Sequence, residues 1–166
     1  MSHLADLISP TNTLCKHSAK SRKRILQTIA EHIADGPEGS VSADNLFEGL
    51  MERERLGSTG LGEGVAIPHC RVACSTIRIA LVTLDQPIDY EAMDGEPVDL
   101  IFVLVVPEDE QTIHLDALAE LSKVFVDPVN RDQLRQCTDA QSLADKMRHY
   151  LRGAADPGAQ VANIQA

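Results

Sequence analysis

Apolar residues recur at helical spacing in two segments of the first third of the chain. In KSRKRILQTIAEHIA, residues 20–34, they return every three to four positions, as they do along the buried face of an amphipathic helix. Gly36 and Pro37 follow as a stop. The next segment, ADNLFEGLMERER, has the same periodicity, with Ser42 before it as a cap and Gly57 after it as a residue that tolerates positive φ. The pattern predicts two consecutive helices.

Two later segments are shorter and rich in β-branched residues. They are IRIALVTL, Ile77–Leu84, and VDLIFVLVVP, Val98–Pro107, and their lengths are typical of strands. The second is apolar almost throughout, as expected of a central strand that is covered on both faces. The intervening stretch, DQPIDYEAMDGEPVD, is full of Asp, Gly and Pro, which predicts a long irregular connection.

Helical spacing returns in the C-terminal part of the chain. We expect a helix over Thr112–Phe125, a shorter one after Asn130, and a last one opened by a capping box of Thr138 and Gln141. From Gly153 onward little can be buried, so we expect one domain over residues 1–152 and a flexible tail over 153–166. The order of helices, strands and helices predicts an α/β fold, a mixed β-sheet flanked by α-helices.

Composition and charge narrow the possible environments and partners. With 166 residues, 43% of them apolar and 24% charged, the chain has the size and composition of one soluble globular domain. Its net charge of −10 disfavours nucleic acid and anionic membranes as partners. No apolar run approaches the roughly 18 residues of a membrane span, and the N-terminus lacks the features of a secretory signal. We therefore expect a cytoplasmic protein without membrane insertion.

The stretch GSTGLGEGVAIPHC, Gly57–Cys70, contains the candidate chemistry. A Walker A loop needs Lys and then Ser or Thr directly after its second glycine, whereas Glu63 stands there. A dinucleotide fingerprint is incomplete as well. Cys74 lies close enough to His69 and Cys70 to suggest zinc, but the other two cysteines are isolated and supply no second pair. The sequence favours neither a nucleotide nor a metal, and we expect no cofactor.

His69 remains as a candidate nucleophile. A neutral imidazole presents a nitrogen lone pair near pH 7, and its other nitrogen can be oriented by a backbone carbonyl. Such a ring can accept a phosphoryl group from another phosphohistidine, a reaction that depends mainly on positioning and charge neutralisation. The glycines would let a partner approach closely, and Pro68 would stiffen the backbone before the histidine. On spacing alone, a histidine that ends a strand and bonds to the backbone is the simpler interpretation.

The segment GSTGLGEGVAIPHCRV resembles the active-site signature of the mannitol/fructose-type enzyme IIA proteins of the bacterial phosphoenolpyruvate-dependent phosphotransferase system. The similarity continues in LADLISP, SRKRILQTIAEHIA, LDQPIDYEAMDGEPVDLIFVLVVPE and HLDALAELSKVFVD, which are similar to the nitrogen-regulatory branch of that family. It covers roughly residues 4–151. The resemblance implies the α/β sandwich of type-2 enzyme IIA domains.

The resemblance also implies the residues of a phosphoryl carrier. His69 stands where the family carries its phosphoryl group, on Nε2, received from a small HPr-like phosphocarrier protein downstream of an enzyme I. Arg53 matches the family arginine that lies near the phosphate, and His114 matches the second active-site histidine. Ser58 and Thr59 match loop positions whose hydroxyl and amide groups could contact phosphate oxygens.

Each of the supporting residues also has an ordinary structural interpretation. Arg53 could be a solvated arginine in the last turn of a helix, His114 a surface histidine near a helix start, and Ser58 and Thr59 residues that shape a turn. One position departs from the family, which usually has glycine where this chain has Cys70. If that position needs positive φ, a cysteine costs about 1 kcal/mol. Cys70 could also narrow a partner's approach or make the site sensitive to oxidation.

The function that the resemblance implies is that of a stand-alone nitrogen-regulatory enzyme IIA, whose phosphorylation state controls its binding to partners such as potassium-handling proteins or metabolic regulators. Phosphorylation would add negative charge to an acidic protein, which weakens docking to acidic partners or offers a ligand to an arginine. Two alternatives stay open. One is a transport-linked enzyme IIA that donates to a sugar-specific enzyme IIB, and the other is a binding module without the chemistry.

Overall fold

The computed structural model describes residues 4–35, 41–109 and 111–155, with the backbone alone at 111–114. Helices precede and follow the main strands, which is the predicted order. The elements are α1 (Leu4–Leu7), β1 (Thr13–His17), α2 (Arg22–Ala34), α3 (Ala43–Arg55), β2 (Gly60–Gly62), β3 (Val65–Ala66), β4 (His69–Val72), β5 (Arg78–Ile88), β6 (Val98–Pro107), α4 (Gln111–Phe125), α5 (Pro128–Gln136) and α6 (Ala140–Ala155).

The strands form one mixed sheet with β6 at its centre. The order is β1-β5-β6-β3-β2, and β4 also pairs with β6. β5 runs antiparallel to β6, whereas β3 and β4 run parallel to it along its other edge. β1 is parallel to β5, and β2 is antiparallel to β3. Because β6 has neighbours on both edges and is buried along most of its length, the prediction of a central strand is confirmed.

Helices cover both faces of this sheet. Successive side chains of a strand point to opposite faces, so β6 divides its apolar residues between two cores. Ile101 and Val103 belong to a core with α2 and α3, while Phe102 and Leu104 belong to a second core with α1, α4, α5 and α6. The predicted α/β fold, a mixed sheet flanked by helices, is confirmed.

The two helices of the first core begin at serine caps. Ser21 accepts a hydrogen bond from the backbone N of Arg24, and Ser42 accepts one from that of Asn45. The cap predicted at Ser42 is therefore present. Of the helices that the structure describes, none combines the length and the apolar character needed to cross a membrane.

Two element boundaries differ from the prediction because of local geometry. β5 does not end at Leu84 but continues to Ile88, after a register irregularity that leaves the polar residues between them exposed. α5 does not begin after Asn130. The carboxylate of Asp127 caps it, and Pro128 occupies its first turn, where the missing N–H of proline has no cost.

The last helix also begins and ends differently from the prediction. The predicted capping box at Thr138 is wrong, because the carboxylate of Asp139 accepts hydrogen bonds from the N and Oγ of Ser142. The helix extends to Ala155, into the predicted tail. The rest of that tail, residues 156–166, lies outside the described residues.

His69 directly follows a break between β3 and β4 at the edge of the sheet. β3 and β4 follow one another along β6, with Val65 opposite Leu100 and His69 opposite Leu104. Pro68 lies in the break and has no N–H to donate, although its carbonyl still accepts a bond of 3.0 Å from the N of Leu104. His69 is thus the first residue of a short edge strand that packs beside α3.

Candidate functional site

The ring of His69 is held by the backbone of the break that precedes β4. Its Nδ1 lies 2.8 Å from the carbonyl oxygen of Ile67. Because a carbonyl only accepts hydrogen bonds, Nδ1 carries the proton and the lone pair of the neutral ring is on Nε2. Nε2 is therefore the nucleophilic atom of this side chain.

Arg53, in the last turn of α3, reaches that lone pair. Its Nε donates to Nε2 of His69 at 3.3 Å, and its Nη1 donates to the carbonyl of Gly57 at 2.7 Å. Gly57 has a φ of 145°, in the region that favours glycine. The carbonyl of Gly57, two residues after the end of α3, thus anchors the guanidinium beside the imidazole, and the structure brings His69 and Arg53 together.

The surroundings lower the pKa of His69 from its ordinary value of 6.5. The largest cause is burial, which disfavours the charged ring. The hydrogen bond to the Ile67 carbonyl opposes this effect, while the positive charges of Arg53 and Arg71 add to it. The imidazole is therefore neutral at pH 7 and keeps its lone pair on Nε2, to which Arg53 donates.

A pH titration of the His69 ring followed by NMR should give a midpoint below 6.5, because burial and the neighbouring arginines lower its pKa. The same spectra should show the proton of the neutral ring on Nδ1. Replacing Arg53 with methionine should raise the midpoint, because it removes one of those positive charges and the donor to Nε2. A midpoint above the ordinary value, or a proton on Nε2, would contradict this description of the ring.

Ser58 and Thr59 use their polar groups within the glycine loop. The Oγ of Ser58 donates to the carbonyl of Tyr90 and accepts from the N of Gly60, both at 3.1 Å. Thr59 is buried, and both its amide and its hydroxyl donate to the carboxylate of Glu54. These bonds shape the loop, so a phosphate contact through either hydroxyl would require them to be exchanged.

The carboxylate of Glu54 is the centre of a buried polar network beneath the loop. Its side chain is 1% exposed and lies 3.5 Å from the guanidinium of Arg22. It accepts a hydrogen bond of 2.8 Å from the hydroxyl of Tyr90, in addition to those from Thr59. The Arg22 guanidinium also lies over the Tyr90 ring, 5.6 Å from its centroid. The network joins the end of α3, the loop and the β5–β6 connection.

This network was not predicted, although the sequence contains one signal for it. Leu46, Leu50 and Glu54 are spaced by four residues, which puts the glutamate on the buried face of α3. A carboxylate at such a position needs hydrogen-bond donors or a positive charge. Tyr90, in contrast, lies in the segment predicted to be an irregular connection, where no periodicity marks a residue as buried.

The helix that carries His114 begins beside the site. Leu115 lines the same depression as His69, so the first turns of α4 border it. The imidazole of His114, however, lies outside the described part of the chain.

The depression around His69 is positively charged, although the chain as a whole is acidic. Arg53, Arg55 and Arg71 line it together with a single acidic residue, Glu52, among the described residues. The excess of positive charge favours an anionic ligand or partner.

Two exposed leucines border the depression. Leu56 is 85% exposed and Leu115 is 68% exposed, and both line it. Such an apolar rim is typical of a protein-binding surface.

Cys70 packs into the core between β4 and α3. It is 7% exposed, and a Cβ placed on Gly49 would lie 3.3 Å from its Sγ. Its φ is not positive, so the strain considered for a cysteine at this position is absent. Burial, and to a smaller extent Cys74, raises the pKa of the thiol to about 12. A buried, protonated thiol is unreactive, which argues against the suggestion that Cys70 makes the site sensitive to oxidation.

Comparisons with known proteins agree with one another. The family model for the phosphoenolpyruvate-dependent sugar phosphotransferase system, EIIA 2, matches residues 6–149. The nitrogen regulatory protein of Pseudomonas aeruginosa is 41% identical over 145 residues, which are 86% of this chain and 93% of that protein. The crystal structure of nitrogen regulatory protein IIA-Ntr from Neisseria meningitidis matches with a TM-score of 0.82 and 34% identity, over 90% of this chain and 99% of that one. IIA mannitol from Escherichia coli, at 17% identity, shares the fold with a TM-score of 0.71, over 87% and 98% of the two chains.

Proposed function

Because the chain belongs to the EIIA 2 family of the phosphoenolpyruvate-dependent sugar phosphotransferase system, we propose that it is a phosphoryl carrier that accepts its group on Nε2 of His69. The nitrogen regulatory proteins among its relatives favour a regulatory carrier over one dedicated to sugar uptake. Such a protein turns over no small molecule by itself. Its product is its own phosphorylated form.

The observation that carries this proposal is the arrangement of the two ring nitrogens of His69. The Nε2 lone pair attacks the phosphorus of a donor phosphohistidine, and the new N–P bond forms as the donor's N–P bond breaks. Positive charge then develops on the His69 ring, where the Ile67 carbonyl stabilises it through the Nδ1–H bond of 2.8 Å. The donor imidazole leaves as a neutral ring. No proton has to be transferred.

Arg53 has two tasks in this mechanism. In the free protein its Nε occupies the Nε2 lone pair of His69, so this bond must be released before attack. The guanidinium can then donate to the oxygens of the incoming phosphoryl group, while the bond from Nη1 to Gly57 keeps it in place. Positive charge fixed where the negative phosphoryl group arrives stabilises the transition state.

The surroundings of the site support a protein as the phosphoryl donor. The exposed leucines at positions 56 and 115 and the arginines of the depression suit an acidic or phosphorylated protein surface with an apolar centre. We propose an HPr-like phosphocarrier, charged by enzyme I, as the donor.

Phosphorylation would change the charge of the depression, because the positively charged surface would then hold a dianionic phosphoryl group. Regulated partners, such as potassium-handling proteins or metabolic regulators, would distinguish the two forms. The protein would meet these partners in the cytoplasm.

Replacing His69 with alanine should abolish phosphoryl uptake. Purified chain is incubated with phosphoenolpyruvate, enzyme I and an HPr-like phosphocarrier, and intact mass is measured. The wild type should gain a single acid-labile phosphoryl group and the His69→Ala variant none. His149→Ala, which removes an exposed histidine of α6, is the matched control and should be labelled like the wild type.

Two other results would change the conclusion. If the wild type stays unlabelled while another enzyme IIA is labelled in the same tube, the chain is a binding module rather than a carrier. If the labelled wild type passes its group to a sugar-specific enzyme IIB, it is a transport-linked enzyme IIA.

A further inference from the structure

One guanidinium nitrogen of Arg71 lacks a hydrogen-bond acceptor among the described residues. Its Nη1 is buried and has no hydrogen-bond partner within the part of the chain that the structure describes. An arginine side chain is always charged, and a buried N–H without an acceptor lowers the stability of the folded state. An acceptor that reached this nitrogen in another state of the protein would remove that cost.

The position of Arg71 on β4 points to where that acceptor arrives. Residues two apart on a strand project from the same face, so Arg71 lies on the same face as His69. Cys70 and Val72, which alternate with them, belong to the core formed with α2 and α3. His69 and Arg71 line the same depression, and the charge of Arg71 is close enough to lower the pKa of His69.

The other arginines of the depression differ from Arg71 in what they already contact. Arg53 is bonded to His69 and to Gly57 in the free protein. Arg55 is exposed and therefore remains hydrated. A phosphoryl group on Nε2 has three oxygens, more than a single guanidinium can hold through two parallel bonds. Among these three arginines, Arg71 is the one with a buried guanidinium nitrogen that has no acceptor among the described residues.

We propose that Arg71 is a second phosphoryl-binding residue, which donates from Nη1 to an oxygen of the phosphoryl group on Nε2 of His69. This inference rests on the proposed function. The contact exists only in the phosphorylated form, so it stabilises that form relative to the free protein and shifts the transfer equilibrium toward this chain. Arg71 remains charged throughout and exchanges no proton.

The test is the equilibrium of phosphoryl transfer between the phosphocarrier and this chain, quantified by intact mass for both proteins. Replacing Arg71 with glutamine should shift it about tenfold toward the phosphorylated carrier, as expected for the loss of a charge-assisted hydrogen bond. Arg71→Lys should shift the equilibrium less, because lysine keeps the positive charge. Arg55→Gln removes the same charge from an exposed position, so its effect should be smaller and should fade as salt is added.

Stability measurements separate this role from a structural one. Because Nη1 of Arg71 has no hydrogen-bond partner in the described part of the chain, Arg71→Gln should leave the urea midpoint of the free protein unchanged or raise it. An equilibrium equal to that of the wild type, or a shift no larger than that of Arg55→Gln, overturns the inference.

A second experiment tests Arg71 independently of the carrier. If the wild type accepts nothing from the phosphocarrier, the proposed function fails. His69 is then phosphorylated chemically with phosphoramidate, which releases ammonia. NMR of the arginine side chains in the wild type should show the Arg71 signals shifting on phosphorylation. If those signals do not move, Arg71 does not bind the phosphoryl group.

Discussion

Replacing Arg53 with methionine should slow phosphoryl transfer to His69 by about 100-fold or more, the effect typical of removing one fixed donor from a charged transition state. The methionine keeps most of the apolar length of the side chain but has no donor for the phosphoryl oxygens. It also frees Nε2, which Arg53 occupies in the free protein. We expect the loss of the donor to outweigh this release of the nucleophile, so that transfer slows.

Single-turnover transfer from the phosphorylated carrier, stopped at short times and read by intact mass, measures this rate. Arg53→Lys is the matched variant, since it keeps the positive charge but cannot form two parallel hydrogen bonds. Its transfer rate should lie between those of the wild type and Arg53→Met. The half-buried position of Arg53 predicts a small change in the free energy of unfolding. A methionine variant that accepts the group as fast as the wild type would show that Arg53 only masks Nε2.

The sequence predicted the elements whose apolar residues form a clear pattern. It did not predict helix boundaries that depend on a single capping residue. α3 and β6 follow directly from the spacing of their apolar residues. At the start of α6, Thr138 and Asp139 are adjacent and both can cap a helix, with Asp preferred over Thr. The prediction chose Thr138 for its spacing to Gln141, whereas the structure uses Asp139.

The candidate site shows a similar division. The resemblance identified His69 and Arg53, and the structure brings them together. The carbonyl of Ile67 that fixes the ring tautomer belongs to the backbone, and its orientation follows from the break at Pro68 in an edge strand. No side-chain pattern encodes such a contact. The unused donor of Arg71 is likewise visible only in the packed structure, where its Nη1 has no acceptor among the described residues.

Replacing Glu54 with alanine should lower the free energy of unfolding by about 3 kcal/mol, the lower end of what breaking a buried ion pair costs. The substitution leaves the hydroxyl of Tyr90 and both donors of Thr59 without their acceptor. It also leaves Arg22 with one carboxylate fewer. Because Arg22 is 20% exposed and still pairs with Glu91 at 2.7 Å, we do not expect the full penalty of an isolated buried charge.

Urea unfolding at pH 7 measures this loss, and Tyr90→Phe is its matched control. The phenylalanine removes the hydrogen bond to Glu54 and the 3.2 Å contact with the Thr59 hydroxyl. It leaves the bonds from Thr59 to Glu54, so it should cost about 1 kcal/mol. If Glu54→Ala costs no more than Tyr90→Phe, the network does not hold the loop.

The Glu54→Ala variant also distinguishes a residue that supports the structure of the site from one that takes part in phosphoryl transfer. Glu54 fixes the loop that follows Arg53 through its bonds to Thr59, whereas Arg53 donates directly to His69. Measured at a temperature where Glu54→Ala is fully folded, phosphoryl transfer should therefore slow less than in Arg53→Met. A loss equal to that of Arg53→Met would mean that the guanidinium is positioned through the network rather than through its bond to Gly57.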